Sequence, residues 1–323
     1  MVTGGTGSFG RMFISEILQY DPKEVIVFSR DEDKQGAMRL ELQDDRIRYI
    51  LGDIRDLRSV SEAMRGVDYV IHAAALKWIT EVEYNVWEGI KTNVIGAQNI
   101  IEAARDNNVI KVVALSTDKA VEPINAYGMA KALQERLITT ANLYDTGTRT
   151  AFISTRYGNV LGSRGSVVPY FLSLLAKGKP LTVTHPDMTR FLLTLQESVK
   201  LVLFALEHGV GGEVFVRQMP AHTIMDLAEV LVEDVSNGKG GIVITGIRPG
   251  EKIHELLVSD HESERTVAVG DYYIILPQIT IPAVTKKYRQ LMRIGALRYA
   301  SDNTKRMTKN ELRTVLKKTK WIE

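Results

Sequence analysis

The chain has 323 residues, 45% of them hydrophobic and 25% charged, and this ordinary globular composition excludes a disordered or fibrous protein. Its 41 basic and 39 acidic residues are interspersed and leave a net charge of +2, so the charge balance does not indicate a nucleic-acid partner. The absence of cysteine excludes disulfides and sulfur-ligated metals, and it fits a reducing compartment.

We therefore expect a cytoplasmic protein without a metal site, since the six histidines also show no zinc-ligand spacing. No apolar run approaches the roughly 20 residues that span a bilayer, which predicts no membrane partner. A glycine-rich turn begins at Gly4, although such a turn normally follows a complete strand of about five residues. Either the start codon lies upstream or the first strand is unusually short, and we favour the former.

Short β-branched runs alternate with amphipathic helical patterns, as a doubly wound parallel sheet requires. We predict strands at residues 25–28, 47–51, 69–71, 111–115, 150–155 and 213–217. We predict helices at residues 11–20, 57–64, 90–107, 127–144, 168–176 and 195–206. The expected fold is α/β, a Rossmann-type sheet (residues 1–161 and 192–218) with a smaller α/β substrate-binding lobe (residues 162–191 and 219–323).

The turn after the first strand has glycines at positions 4, 7 and 10 and leads directly into a helix. That spacing lets a pyrophosphate approach the backbone N–H groups at the helix N-terminus, where the helix dipole favours an anion. The alternative is an ordinary glycine-rich turn, but the flanking strand and helix favour a dinucleotide site. The turn residues assigned to this site are Gly4, Thr6, Gly7, Ser8, Phe9 and Gly10.

The second strand ends in Ser29 and Arg30, where an NAD-binding protein usually places a carboxylate for the ribose 2′-hydroxyl. Arg30 and Lys34 can instead pair with a 2′-phosphate, so we predict NADP, the alternative being that both are solvated surface charges. Further along, Asp53 and Ile54 suit an adenine-edge contact, and Ala73 and Ala74 provide a floor of small residues under the cofactor.

The predicted strand ending at Leu115 is followed by Thr117, Asp118 and Lys119, and the next helix carries Tyr127 and Lys131 one turn apart. The ammonium of Lys131 is expected to lower the phenol pKa of Tyr127 and to hold the nicotinamide ribose. A Tyr-Lys spacing occurs on many exposed helices, and Asp118 with Lys119 could be a salt-bridge pair. In combination with the glycine turn, these residues indicate redox chemistry.

With these motifs the chain resembles the extended short-chain dehydrogenase/reductase superfamily. Within it, long dispersed blocks resemble the UDP-N-acetylglucosamine 4,6-dehydratases, which are polysaccharide biosynthesis proteins. These blocks are Ala73-Ala74-Ala75-Leu76-Lys77, Glu83-Tyr84-Asn85, Lys91-Thr92-Asn93, residues 115–119, Arg156-Tyr157-Gly158-Asn159-Val160, residues 163–169, Met188-Thr189-Arg190-Phe191, residues 246–252 and residues 299–303. The resemblance covers nearly the whole chain.

The resemblance implies that NADP⁺ takes a hydride from C4 of the sugar, that water leaves across C5 and C6, and that the hydride returns to C6. It implies that Lys119 takes the C5 proton, that Asp118 assists loss of the C6 hydroxyl, and that Tyr127 and Thr117 contact the C4 oxygen. Lys119 can be a base only if desolvation or a neighbour such as Lys131 lowers its pKa.

The resemblance also implies further binding residues. The cofactor set gains Lys77, Thr92 and Val160, together with Tyr127 and Lys131. For the UDP-N-acetylglucosamine, or a related UDP-sugar, convergent cationic and amide donors are expected. These are Lys77, Asn159, Arg164, Thr182, Arg190 and Arg248. For Arg190 a structural ion pair is an equal alternative.

Some features depart from the resemblance or leave alternatives open. Trp78-Ile79-Thr80 stands where relatives commonly have a polar residue followed by Val-Pro, and no cysteine lies near Gly89. Tyr127 matches the members that invert C5, which favours inversion. A UDP-sugar 4-epimerase shares the hydride step but needs no acid/base pair for elimination, and a non-catalytic NADP-binding regulator would be expected to lack Tyr127 or Lys119.

The helices at residues 90–107 and 127–144 resemble those that pair subunits in the superfamily, so we expect a homo-oligomer, a dimer or larger.

Overall fold

The computed structural model describes residues 1–143, 150–236 and 238–323. Within these ranges the strands are β1 Val2–Thr3, β2 Val25–Ser29, β3 Ile47–Leu51, β4 Tyr69–His72, β5 Lys111–Leu115, β6 Ala151–Arg156, β7 Asn159–Val160, β8 Leu181–Val183, β9 Thr189–Leu193, β10 Val214–Arg217, β11 Ala221–Thr223, β12 Ile242–Ile244, β13 Leu256–Val258, β14 Thr266–Val269, β15 Tyr272–Ile275 and β16 Tyr299–Ala300. The α-helices are α1 Ser8–Ile17, α2 Glu32–Leu42, α3 Leu57–Ala63, α4 Ile79–Tyr84, α5 Val86–Gly89, α6 Gly96–Asp106, α7 Ala126–Thr140, α8 Val167–Ala176, α9 Leu195–His208, α10 Ile224–Ser236, α11 Asp260–Ser263, α12 Pro282–Tyr288 and α13 Lys309–Lys318.

A nine-stranded sheet has the order β14-β15-β10-β6-β5-β4-β1-β2-β3. The seven strands from β10 to β3 are parallel, and β15 and β14 continue the sheet antiparallel. This arrangement confirms the predicted Rossmann-type doubly wound sheet. The carboxyl ends of the parallel strands therefore lie along one edge, where such folds bind their ligands.

Both faces of the sheet are covered, as the alternation along β2 illustrates. Val25 and Val27 pack in a cluster with residues of α1, α2, α9 and α12. Ile26 and Phe28 pack on the other face in a cluster with residues of α3, α6 and α7. Because successive strand residues point to opposite faces, an all-apolar strand requires helices on both sides.

The predicted elements agree with the structure except at some ends. The predicted helix at residues 90–107 is a π-helical segment, Ile90–Ile95, that continues into α6. The predicted helix at residues 127–144 corresponds to α7 and a following 3₁₀ turn, Ala141–Leu143, while Tyr144 lies outside the described residues. The helix α2 was not predicted, since its apolar periodicity is weak and its sequence is dominated by charged side chains.

The smaller lobe has its own core, in which α8, α10 and α13 pack against β8 and β9. Its strands form small sheets, β11-β9-β7, β12-β8 and β13-β16. Some strands pair across the predicted division, since β14 and β15 fall within residues 219–323 yet join the main sheet, and β7 falls within residues 1–161 yet pairs with β9. The physical reason is that β10 would otherwise be an exposed edge strand, which the antiparallel hairpin covers.

Within the described ranges no helix combines the length and apolarity needed to cross a bilayer.

Residues of β9, β10, β13 and β16 form one further apolar cluster that joins the small sheets to the main sheet. This cluster fixes the smaller lobe beside the carboxyl ends of β5 and β6. Thr117, Asp118 and Lys119 follow β5 in this region.

Candidate active site

The glycine-rich turn lies between β1 and α1 and is packed too closely for larger residues. Gly4 has a φ of +65°, and a Cβ there would lie 2.9 Å from the Cα of Ala74 and 3.1 Å from the carbonyl carbon of Ala73. A Cβ on Gly10 would lie 2.5 Å from the carbonyl oxygen of Gly5. No side chain of the described chain caps the start of α1, which leaves the positive end of the helix available to a diphosphate. The turn therefore fits a dinucleotide.

The end of β2 presents the side chains predicted to meet the adenosine end of the cofactor. Ser29 is buried, and its Oγ accepts the backbone N–H of Asp31 at 3.2 Å. The guanidinium of Arg30 lies 3.4 Å from Asp53 Oδ2 and is half-exposed. Lys34 pairs with the Asp31 carboxylate, which also caps α2, and this hydrogen bonding lowers the pKa of Asp31. The carboxylate of Asp31 therefore lies next to Arg30, but it is already paired with the Lys34 ammonium and with the backbone N–H at the start of α2.

A loop of the smaller lobe lies over the glycine turn. Thr6 Oγ1 is 3.1 Å from Ser29 Oγ, and Ser8 Oγ accepts the backbone N–H of Arg164 at 3.1 Å. Lys77 Nζ donates to the Arg164 carbonyl oxygen at 2.6 Å, and burial, with a smaller contribution from Arg164, lowers the pKa of Lys77. Arg164, which we predicted for the substrate, thus lies beside the predicted cofactor turn.

The remaining predicted cofactor residues differ in accessibility. Ile54 is buried in the core beneath α6, so of the predicted adenine pair only Asp53 offers an accessible side chain. Thr92 is buried in the π-helical segment. Phe9 and Val160 are partly buried, in α1 and β7 respectively.

The triplet that follows β5 forms a compact polar cluster. Thr117 Oγ1 donates to Asp118 Oδ1 at 2.9 Å, and Lys119 Nζ donates to the same oxygen at 2.9 Å. Lys119 Nζ is also 3.2 Å from Oε1 of Glu255, a residue that the sequence analysis did not single out. Asp118 and Glu255 are both almost fully buried. The structure thus places one ammonium between two buried carboxylates.

Burial and the neighbouring charges shift the pKa of each ionisable group in this cluster. Burial raises the pKa of Asp118, and the neighbouring Lys119 only partly offsets that effect. Burial alone would lower the pKa of Lys119, but the charges of Asp118 and Glu255 outweigh it and the pKa is raised. The pKa of Glu255 is lowered because Lys119 and Arg190 outweigh its burial. The condition stated for Lys119 to act as a base, a lowered pKa, is therefore not met by the protein's own charges, because two carboxylates flank the amine.

Tyr127 lies in the first turn of α7, beside this cluster. Asn125 caps the helix by accepting the backbone N–H of Gly128 at 2.7 Å. A Cβ on Gly128 would lie 2.2 Å from the carbonyl oxygen of Lys119, so glycine is needed for α7 to approach the triplet. Burial raises the pKa of Tyr127 to about 12, although Lys119 and a hydrogen bond with Thr117 act in the opposite direction.

Lys131 lies one turn after Tyr127 and is buried. Its Nζ donates to the Leu115 carbonyl oxygen at 2.6 Å and to Gln134 Oε1 at 2.7 Å, and burial lowers its pKa to about 7. The expected lowering of the phenol pKa by Lys131 is not found. Burial of the phenol dominates, and Lys119 is the cation that acts on it.

Several buried polar atoms near the carboxyl ends of β4, β5 and β6 have no hydrogen-bond partner among the described residues. Buried polar groups are normally paired, so such a set indicates that a polar ligand belongs there. The atoms are His72 Nε2, Ser116 Oγ, Asp118 Oδ2, Asn159 Oδ1 and Glu255 Oε2. Together with the glycine turn, they fit a dinucleotide and a polar substrate.

The predicted substrate residues are not all equally available. Asn159 presents its unpartnered Oδ1, and Arg248 is half-exposed, 3.9 Å from the carboxylate of Glu251. Thr182 Oγ1 is 3.4 Å from the hydroxyl of Tyr170 in α8. Arg190 is buried, donates to three backbone carbonyl oxygens and lies 3.8 Å from a carboxylate, which is the geometry of the structural alternative.

Glu255 is the main residue that the sequence analysis missed. It lies three residues beyond the block at 246–252 and directly before the apolar run of β13. A carboxylate adjoining a buried strand needs a cationic partner, so this position was a signal for a charge cluster. The partner lies 136 residues away in the sequence, and no local pattern identifies it.

Comparisons with known proteins agree with this geometry. A profile for the family described as polysaccharide biosynthesis protein matches residues 1–277. A protein of Rickettsia akari named UDP-glucose 4-epimerase is 45% identical over 334 residues, covering 100% of this chain and 96% of the relative. The structure of Pen from Bacillus thuringiensis is 39% identical with a TM-score of 0.93, covering 99% of this chain and 97% of that chain. DesIV from Streptomyces venezuelae, a dTDP-glucose 4,6-dehydratase solved with NAD and TYD, has a TM-score of 0.73 at 23% identity, covering 90% and 96%.

Proposed function

Because this chain belongs to the polysaccharide biosynthesis protein family, whose relatives point to nucleotide-sugar chemistry, we propose that it is a UDP-N-acetylglucosamine 4,6-dehydratase. The reaction converts the sugar into its 4-keto-6-deoxy form and releases one water. Surface-glycan biosynthesis is the expected use of this product. NADP is the proposed cofactor, recycled within each turnover.

The observation that supports dehydration is the pairing of the buried Asp118 with the partly buried Lys119. Elimination of water across C5 and C6 needs a base for the C5 proton and an acid for the C6 hydroxyl, whereas 4-epimerisation needs neither. The two groups share a hydrogen bond of 2.9 Å at the carboxyl end of β5. Burial raises the pKa of Asp118, which favours the protonated acid that elimination requires.

A proton transfer within this pair would supply both functions. Moving one proton from Lys119 Nζ to Asp118 turns the ion pair into a neutral amine and a neutral carboxylic acid. Exclusion of water by the bound sugar favours the neutral pair, because desolvation penalises charges more than neutral groups. The amine can then take the C5 proton while the acid protonates the leaving hydroxyl, and elimination returns both groups to the ion pair.

The redox chemistry is assigned to the other half of the site. The bound dinucleotide supplies a hydride acceptor for C4 and later a hydride donor for C6. Tyr127 and Thr117 are assigned to the C4 oxygen. Tyr127 acts as the phenolate, which accepts the C4 hydroxyl proton and becomes the phenol as C4 is oxidised, and the positive charge of Lys119 favours that phenolate against the effect of burial. The buried amine of Lys131, whose pKa is lowered to about 7, donates hydrogen bonds and orients the nicotinamide ribose.

The proposal of NADP rests on the cations after β2. Arg30 and Lys34 are assigned to the 2′-phosphate, and the carboxylate of Asp31 is already paired with Lys34 and with the start of α2. A phosphate attracts guanidinium and ammonium groups more strongly than a ribose hydroxyl does. The dinucleotide in the DesIV structure is NAD, and calorimetric titration with both dinucleotides tests the choice between them.

Three residues are assigned to binding of the UDP-sugar, and one to the configuration of its product. Lys77, Asn159 and Arg248 are assigned to the UDP-sugar, because a diphosphate calls for convergent cationic and amide donors. Tyr127 is the residue that favours inversion at C5. A nucleotide-sugar substrate and a chain without cysteine fit a reaction in the cytoplasm.

We also propose that the protein is a homo-oligomer through α7 and the neighbouring helices. Met129 and Leu133, one turn apart on α7, are 51% and 53% exposed, and Trp87 of α5 and Ile95 of the π-helical segment are 61% and 39% exposed. Both segments pack against α7. A group of large exposed apolar side chains on adjoining elements is typical of a surface that pairs subunits.

The test is incubation with NADP⁺ and UDP-N-acetylglucosamine in deuterated water without added reductant. We expect a 4-keto-6-deoxy sugar with deuterium at C5, detected by NMR and mass spectrometry, and its coupling constants report the C5 configuration. Retention of the 6-hydroxyl with a changed C4 configuration would contradict dehydration. That outcome would establish the second candidate, a UDP-sugar 4-epimerase, which the name of the Rickettsia akari relative favours.

A further inference from the structure

We propose that Glu255 is a positioning residue for the elimination: it shares the Lys119 ammonium with Asp118 and keeps the acid and the base in matching protonation states. The inference rests on the proposed dehydration. It gives a role to a side chain that belongs to the smaller lobe, whereas the rest of the acid/base cluster follows β5 of the main sheet.

The geometry of Glu255 is fixed by its backbone. Its N–H donates to Ser301 Oγ at 2.9 Å, and its carbonyl oxygen accepts the N–H of Ser301 at 2.8 Å. Its side chain is 2% exposed, and Oε1 lies 3.2 Å from Lys119 Nζ. The backbone just before β13 is therefore held against the residue that follows β16, and the Glu255 carboxylate has little freedom to move away from the amine.

Both oxygens of a buried carboxylate are normally hydrogen-bonded. Here Oε1 faces Lys119 and, at 3.8 Å, the guanidinium Nε of Arg190, while Oε2 is buried and has no partner in the described chain. An unpaired buried carboxylate oxygen is costly unless a ligand or a proton meets it. Glu255 thus retains the capacity to accept a hydrogen bond from the substrate or a proton from Lys119.

The charges that face Lys119 determine the effect of removing Glu255. They are the carboxylates of Asp118 and Glu255, the cations of Arg190 and Lys252, and the phenol of Tyr127. The negative charge of Glu255 raises the pKa of Asp118 and the pKa of Lys119 in the same direction. Removing that charge therefore lowers both pKa values. Lys119 then loses its proton and becomes a base at lower pH, and Asp118 loses its proton and ceases to be an acid at lower pH.

The experiment is a pH profile of dehydration for the NADP-loaded full chain and its Glu255→Gln variant. UDP-N-acetylglucosamine is the substrate, and the rate of 4-keto-6-deoxy product is divided by the rate of C4 oxidation measured in the same variant. We expect both limbs of the profile to move to lower pH by about one unit or more, since the lost contact is short and buried. A change in amplitude with both limbs in place would overturn the inference, because a structural residue affects the amount of competent enzyme and not its titration.

The Glu255→Asp variant keeps the charge but withdraws it by one methylene, so its profile should move in the same direction by a smaller amount. This variant decides the matter if Glu255→Gln does not fold, as judged by circular dichroism and dinucleotide binding. An unshifted Glu255→Asp profile with reduced amplitude would again overturn the inference. If the wild-type protein forms only a C4 epimer, the proposed dehydration is refuted and the inference about Glu255 falls with it. If the wild-type protein dehydrates the sugar but the pH profile of the Glu255 variants does not shift, only the inference about Glu255 is refuted.

Discussion

Replacing Asp118 with Asn should separate the elimination from the redox chemistry. The amide keeps the shape of the carboxyl, and its oxygen can still accept the hydrogen bonds that Thr117 Oγ1 and Lys119 Nζ donate at 2.9 Å. Lys119 also keeps Glu255 at 3.2 Å, so no buried ammonium is left without a carboxylate. The variant therefore loses proton donation while the positions of its neighbours are kept.

A general acid contributes roughly 10²–10⁴-fold to a rate, or about 3–5 kcal/mol of transition-state stabilisation. We expect the dehydration rate of Asp118→Asn to fall by about that factor, while C4 oxidation falls far less. Reduced nicotinamide should then accumulate when the NADP-loaded variant meets UDP-N-acetylglucosamine, because the step that consumes it is blocked. The assay follows reduced nicotinamide by absorbance and product formation by NMR.

Tyr127→Phe is the matched control, since it removes one buried polar group from the same cluster but is expected to block the C4 oxidation itself. In that variant no reduced nicotinamide should accumulate, although the dinucleotide still binds. Equal losses of oxidation and dehydration in Asp118→Asn would refute our reasoning and make Asp118 a structural residue. Dehydration at the wild-type rate would require a different acid.

Three further changes test the cofactor, the buried lysine and the proposed oligomer. Arg30→Ala should weaken NADP binding by about tenfold or more and NAD binding much less, because a charge-assisted contact is worth about 1.5–3 kcal/mol; calorimetric titration that finds equal losses would contradict the 2′-phosphate contact. Burial lowers the pKa of Lys131 to about 7 from 10.5. Between these two pH values the unfolded chain binds a proton that the folded chain does not. The free energy of unfolding therefore rises with pH by up to about 1.4 kcal/mol per pH unit. Lys131→Met should remove this slope in urea unfolding at pH 7 to 9, and an unchanged slope would assign it to other groups. Leu133→Glu should reduce the mass found by sedimentation velocity to that of the monomer, whereas a monomeric wild type would refute the α7 interface.

Much of the fold could be predicted because its signals are local. The strands at 25–29, 47–51 and 111–115 are short apolar runs between helical patterns, and the glycine turn fixes where the cofactor meets the first helix. The pairing of β10 with β15 has no such signal, since the two strands are separated by the whole of β11 to β14. Sequence periodicity gives a strand but not its partner, so it could not show that β14 and β15 join the main sheet.

The candidate site divides in the same way. Asp118, Lys119 and Tyr127 are close in sequence and could be assigned together, but the protonation of Lys119 could not. Its pKa depends on Glu255, which reaches it from the other lobe. Desolvation, which is the influence that the sequence makes visible, acts against the two carboxylates that raise the Lys119 pKa. Contacts between lobes determine the electrostatics of the site, and these are the contacts that a single sequence specifies least.

The same cluster is the strongest argument for elimination over epimerisation. The Rickettsia akari relative, 45% identical across this chain, is named a 4-epimerase, and Tyr127 with a dinucleotide would be sufficient for that reaction. Epimerisation gives no reason to place the partly buried Lys119 between the buried carboxylates of Asp118 and Glu255, an arrangement that has a desolvation cost and leaves two carboxylate oxygens without partners in the described chain. Elimination does give one, because it needs an acid and a base that exchange a proton out of contact with water. If the wild-type product is a C4 epimer, this cluster must have another use, and Asp118→Asn should then leave turnover nearly unchanged.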